Sequence, residues 1–278
     1  MKKILVPTDF SDTANKARDY AIQLAQLIEA EIILLNTFHI PYSGASAGTL
    51  VNIDKIAIEE SEKAMKLQLE YVNSNYSNIK VSTLCMSGLL VDSVRRISEK
   101  NEVDLIVLGT TGASGAIENM LGSNASALVS NVNVPMITIP KEANINFPKH
   151  IVAANDLMDS GEEKVFDVLK DFAVETYSTI DFLFIVNEAD QAKHKIKRLK
   201  AADFDSKFDS QYHPFHFKES ENIEEGILEY IENKDFDLLV VVAHQRSFWE
   251  GLFHKSIAKS LVKHAKLPVL ILPEERTQ

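Results

Sequence analysis

The chain has 278 residues, with 29 lysines and arginines against 40 aspartates and glutamates, 45% apolar residues, one cysteine and a formal net charge of −11. That length suits one large domain or two of about 140 residues, each able to bury a core, and the composition excludes disordered, collagen-like and coiled-coil chains. The acidic balance argues against nucleic acid and anionic membrane as partners, and no run approaches the ~18 apolar residues of a membrane span. The opening MKKILVPTDF has no targeting character, so a cytoplasmic protein is expected, and Cys85 can neither close an internal disulfide nor seed a zinc cluster.

Short runs of Val, Ile and Leu alternate with segments of helical period. Ile4 to Val6, Glu31 to Leu35, Val81 to Met86, Leu105 to Leu108 and Met136 to Ile139 read as buried parallel strands joined by crossover helices. Between the first two, Ala14, Ala17, Ala21, Leu24 and Ile28 fall three and four apart, with Ser11 placed to cap the helix start. Pro41 to Leu50, holding Gly44 and Gly48, reads as a mobile loop.

The pattern then begins again. Lys3 to Asp9 resembles His150 to Asp156 at a shift of 147, while Asp104 to Leu108 matches Asp237 to Val241, and Val134 to Pro140 matches Leu267 to Pro273, both at 133. This is a tandem duplication joined across the polar stretch Lys141 to Lys149, giving expected domains 1–141 and 149–278. The two closing strands, with Ile137 and Leu270 at their centres, are expected to lie near each other, because an exposed apolar edge needs cover. Asn187 to Phe208, rich in lysine, reads as a surface helix.

Gly109, Gly112, Gly115 and Gly122 follow directly on the fourth run, and Gly122-Ser123 opens a helical stretch. The carboxyl end of a parallel strand is where open α/β sheets bind ligands. Glycines there serve either a tight packed turn or the close approach of an anion to free amides at a helix start. The wide spacing and the Ser123 hydroxyl favour phosphate, and a side chain at Gly122 is expected to crowd it and strain the backbone. Asp9, at the end of the first strand, either caps the next helix or meets a sugar hydroxyl, since a carboxylate does not contact phosphate without a metal.

The spacing G-x2-G-x9-G-S after Asp-Leu-Ile-Val-Leu, with the opening Val-Pro-Thr-Asp and Asn133-Val-Pro135, resembles the universal stress protein family. The resemblance covers nearly the whole chain as two tandem domains. It implies an α/β fold of two doubly wound open parallel sheets, of the adenine nucleotide alpha hydrolase-like type, each with strand order 3-2-1-4-5. It also implies ATP or another adenine nucleotide as ligand, with or without Mg²⁺, in the service of a stress response. Carried over, Gly109, Gly112, Gly122, Ser123 and Asn124 would hold phosphates and ribose, and Leu108 and Thr110, which flank the first glycine, would belong to the same nucleotide site. Asp9 would take the ribose hydroxyls, and Pro7, Thr8 and Thr37, the last placed just past the second strand, would line the adenine pocket. The family's fifth strand makes dimer contacts, so the two halves are expected to form an intra-chain pseudo-dimer, with room for a homodimer of chains.

This chain departs from the family at Ala113, where a basic residue is common, and carries no Lys, Arg or His from Asn101 to Pro140. No Walker lysine or GxGxxG is present. Phosphoryl transfer places a cation where charge develops, so binding without fast turnover is expected and no catalytic or metal residue is assigned. A slow ATPase or nucleotide-transfer enzyme, and a ligand-free scaffold, are the rival readings.

In the second copy Gly109, Gly112, Gly115 and Gly122 become Val242, Gln245, Phe248 and Lys255, and only Ser123 keeps its type, as Ser256. Side chains there fill the place of the phosphates, so that site is expected to be closed, with Asp156 surviving alone and Trp249 packed into the vacated space or an interface. His213-x-x-His216 reads as a surface turn rather than a zinc site.

Overall fold

The computed structural model describes residues 1–38, 47–101, 103–111, 122–154, 163–186, 213–232, 234–243 and 255–273. Contacts divide the chain into two compact units, Met1–Val134 and Pro135–Gln278.

The first unit runs β1 (Lys3–Pro7), α1 (Asp12–Ile28), β2 (Glu31–Phe38), α2 (Ala47–Asn75), β3 (Lys80–Ser87), α3 (Leu90–Asn101), β4 (Leu105–Gly109) and α4 (Ser123–Asn131). Its strands lie in the order β3-β2-β1-β4 and are parallel, with Leu5 opposite both Ile33 and Ile106. β1 lies between β2 and β4, and both β1 and β4 bury their unbroken apolar runs, Ile4 to Val6 and Leu105 to Leu108. Ser11 caps α1 by accepting from the Ala14 N–H, and the helix buries Ala14, Ala17, Ala21, Leu24 and Ile28. Two boundaries differ from the sequence reading. β2 continues three residues past Leu35 because β3 pairs with it as far as Phe38 opposite Ser87, which places Thr37 inside the strand. The expected loop up to Leu50 gives way to α2 at Ala47.

The second unit begins with β5 (Met136–Ile139) and continues through β6 (His150–Ala154), α5 (Glu163–Thr176), β7 (Thr179–Val186), β8 (Phe215–Glu219), α6 (Ile223–Glu232), β9 (Leu238–Ala243), α7 (Lys255–His264) and β10 (Val269–Pro273). Its order is β5-β10-β9-β6-β7-β8. The β8-β7-β6-β9-β10 part is the 3-2-1-4-5 arrangement in full, all parallel, while β5 joins antiparallel to β10 with Ile137 opposite Leu270. The closing strands are thus neighbours, as expected, and β5, although part of the first repeat by sequence, belongs to the second unit by its contacts.

His216 does not lie in a surface turn. It is in β8, opposite Leu183, with Nε2 2.8 Å from Asp181 Oδ2. Phe215 and Phe217, on the alternate positions of the strand, stack on Phe182 and Phe184, and this aromatic packing holds the segment in the sheet. The lysine-rich stretch 187–208, Asp156, Trp249, Gln245 and Phe248 lie outside the described residues. No helix among the described residues is long and apolar enough to cross a membrane, and no described group of His, Cys, Asp and Glu is arranged to hold a metal.

Candidate functional site

At the carboxyl ends of β1 and β4 the first unit encloses a cavity of about 130 Å³. Pro7, Thr8 and Asp9 line it from the end of β1, Thr37 from β2, and Leu108, Gly109 and Thr110 from the end of β4, while Gly122, Ser123 and Asn124 contribute the start of α4. These are ten of the residues singled out from the sequence; Gly112 and Gly115 lie outside the described residues. Ala14, Leu90, Thr111 and Ala125 are the other described residues of the lining and were not anticipated. Thr111 adjoins the motif and could have been read from it, whereas Leu90 reaches the cavity only through the placement of α3.

The β1 end is held by a closed set of hydrogen bonds. The Thr8 N–H donates to the Leu35 carbonyl at 2.8 Å, extending the ladder one residue past Pro7. Behind it, the buried Asn36 amide donates to the Thr8 carbonyl at 2.7 Å and accepts from the Ser61 hydroxyl of α2 at 2.7 Å. Burial without partners would cost each of these groups about 1–3 kcal/mol, so the chain of three is strongly favoured once formed. In front, Thr8 Oγ1 accepts from the Phe10 N–H at 3.0 Å and Asp9 Oδ1 from the Ser11 N–H at 3.1 Å. Phe10 sits at φ 65°, a left-handed conformation that a non-glycine residue keeps only when its surroundings fix it. Asp9 is therefore not the α1 cap, a role filled by Ser11. It is an exposed carboxylate on the cavity, oriented by the turn that leads into the helix.

Gly109 is required for a reason the sequence did not disclose. A Cβ at this position would stand 2.8 Å from Thr13 Cγ2 and 3.0 Å from the Thr13 backbone, so a side chain is barred by the first turn of α1 closing over the strand end. Thr13 also binds Thr111, hydroxyl to hydroxyl at 3.0 Å. The Gly122 N–H donates to the Thr110 carbonyl at 2.8 Å, which brings the two ends of segment 111–122 together.

Gly122 is the N-cap of α4 at φ −56°, ψ 144°. These angles are open to any residue, so the expected backbone strain on substitution does not apply, and what remains of that expectation is crowding. Because Gly122 offers no side-chain cap to the first turn, the N–H groups of Ser123, Asn124 and Ala125 have no intrahelical acceptor and face the cavity lining with the positive end of the helix dipole. Ser123 and Asn124 are exposed there. The arrangement can take an anionic group at α4, a hydroxyl at Asp9 and an apolar ring against Pro7, Leu90 and Leu108.

In the second repeat the residue matching Gly109 is Val242, on β9 and only 4% exposed. Lys255 and Ser256, matching Gly122 and Ser123, open α7.

A profile of the Universal stress protein family matches residues 1–140 and again 148–273. Universal stress protein MJ0531 of Methanocaldococcus jannaschii is 31% identical over 142 residues, which are 50% of this chain and 82% of that protein. Universal stress protein Slr1230 of Synechocystis aligns over 97% of this chain and 99% of its own length at 24% identity. Among solved structures, a universal stress protein from Archaeoglobus fulgidus shares the fold with a TM-score of 0.74 at 18% identity, covering 98% of both chains.

Proposed function

This chain belongs to the universal stress protein family, and we propose that it binds one adenine nucleotide in its first repeat and uses the occupancy of that site as a regulatory signal in the stress response. The observation that supports this reading best is the convergence of Asp9, Gly109, Gly122, Ser123 and Asn124, drawn from three separate elements, on one cavity. In the proposed pose the adenine packs between Pro7, Thr8, Thr37 and Leu108, Asp9 accepts from the ribose hydroxyls, and the α4 amides with Ser123 hold phosphate. About 130 Å³ is below the ~300 Å³ of a common ligand pocket, so the nucleotide would extend over the exposed Ser123 and Asn124 rather than lie fully enclosed.

Among the described residues the lining has no cation to stabilise a transferring phosphoryl group, which supports binding over turnover. The repeats at 1–141 and 149–278 would divide the work, the second serving as structural partner in a cytoplasmic protein. The antiparallel pairing of Ile137 with Leu270 supports association of the repeats through their last strands.

Calorimetric titration with adenine nucleotides tests the reading. One equivalent per chain is expected, lost in Gly122→Val, with Asp9→Ala weakening nucleotides far more than inorganic phosphate. Two equivalents per chain, or wild-type binding by Gly122→Val, would overturn it. Repeated ADP release under saturating ATP and Mg²⁺ would favour the enzyme instead.

A further inference from the structure

The first-repeat cavity has an unusual charge balance. Of the described residues that line it, Asp9 alone is charged, and it is a carboxylate. The stretch that follows β4 cannot supply a compensating cation, because residues 101–140 contain no Lys, Arg or His and do contain Glu118. Every donor that the described lining offers a phosphate is therefore neutral, among them the Thr111 and Ser123 hydroxyls, the Asn124 amide and the first-turn N–H groups of α4. A helix start offers the equivalent of about half a positive charge, and its influence fades within one turn. That suits a single phosphate seated on the helix. Each further phosphate would add negative charge beyond the reach of the dipole, beside Asp9 and against a chain carrying −11 overall.

Resting on the nucleotide-binding reading above, we propose that this site selects adenine nucleotides by low phosphate charge, taking the monophosphate in preference to the triphosphate. The selection follows from repulsion, so it has a signature that a lysine- or arginine-based phosphate site lacks. Added salt screens the repulsion and strengthens triphosphate binding, whereas it weakens binding wherever cations do the holding.

The test is a calorimetric titration of the full chain with adenosine, AMP, ADP and ATP, free of divalent cations, at about 20 mM and about 200 mM salt, where screening differs several-fold. At low salt AMP is expected to bind at least about tenfold more tightly than ATP, or about 1.4 kcal/mol, with ADP between them and the gap narrowing as salt rises. Thr111→Lys, which places a cation on the lining, is expected to strengthen ATP about tenfold relative to AMP, with its melting temperature reporting that the fold is intact. ATP binding as tightly as AMP at both salts, or losing affinity as salt rises, overturns the proposal while leaving nucleotide binding in place. Failure of all four compounds to bind, adenosine included, removes the nucleotide reading and this proposal with it.

Discussion

The two repeats keep one end of their sheets alike and differ at the other. At the amino ends, Asp104 Oδ2 accepts from the Lys2 and Lys3 N–H groups at 2.6 and 2.9 Å, and Asp237 Oδ2 accepts from those of Lys149 and His150 at 3.0 and 2.9 Å. The same clamp ties the fourth strand of each repeat to the first. At the carboxyl ends, Gly109 faces a cavity while Val242 is buried. The divergence reaches one layer deeper. Pro7 pairs with Leu35 and Ala154 with Leu183, so the next residues, Asn36 and Phe184, occupy matching places. Asn36 holds the Thr8 carbonyl and Ser61, whereas Phe184 stacks on Phe215 and Phe217. A polar network behind the cavity-lining end of β1 has as its counterpart an aromatic stack within the sheet. The clamp residues persist in both repeats, whereas the residues at the cavity end differ between them.

Exchanging the strand-end residues is expected to have the largest effect. Gly109→Val gives the first repeat what the second has, at a position where even a Cβ meets Thr13 side chain and backbone at 2.8 and 3.0 Å. Backbone cannot yield as a side-chain tip can, so α1 must shift, at a cost of about 3 kcal/mol, the upper part of the overpacking range. Denaturant unfolding should show that loss, and calorimetry the loss of nucleotide binding. The reciprocal Val242→Gly should leave binding at one equivalent per chain, since the motif Gly109, Gly122 and Ser123 recurs there only as Ser256. Binding gained by Val242→Gly would mean that one residue closes the second site and that the contrast is shallow.

The deeper layer offers a sharper probe. Asn36→Leu makes the first repeat apolar where the second is apolar, but strands the Thr8 carbonyl and the Ser61 hydroxyl in a buried place. A cost of about 2–3 kcal/mol is expected, together with weaker nucleotide binding because Thr8 and Asp9 lose their backing. Ser61→Ala removes only the outer member and should cost about 1 kcal/mol with little change in affinity. The double variant Asn36→Leu, Ser61→Ala should recover part of the stability but not the affinity. Full recovery of both would show that the network serves packing alone.

Much of this was legible beforehand because it is written locally. Apolar runs gave the strands, Ser11 gave the start of α1, and the constant shift from Asp104 to Pro140 gave the duplication. The cavity residues were readable because a strand end, a glycine spacing and a helix start are each short-range signals. What escaped depends on distant packing. Ser61 lies 25 residues from Asn36 and joins it only through the way α2 crosses β2. The polar Asn36 within the run Glu31–Phe38 was itself a visible anomaly, but its partner was not. Gly109 looked like a concession to a ligand and turns out to admit Thr13, a contact between residues 96 positions apart in sequence. The extent of β2 to Phe38 was set by β3 as a neighbour, not by its own residues.

The smallest expected effect concerns the end that did not diverge. Asp104→Ala and Asp237→Ala each leave two backbone N–H groups without a carboxylate, and both aspartates are half-buried, so water replaces the lost acceptor in part. A cost of about 1–2 kcal/mol is expected for each, below the full value of two charge-assisted bonds. The informative quantity is the difference between the variants. If the clamp is a feature of the fold, repeated with it, the two losses should agree within about 0.5 kcal/mol, the usual margin for independent sites, and neither should alter nucleotide affinity, because the clamp stands at the opposite end of β1 from Asp9. Unfolding of the two variants by urea, with calorimetry alongside, measures both. A loss of affinity in Asp104→Ala alone would show that the strand transmits strain along its length, and the shared and divergent ends would then have to be treated as one coupled system.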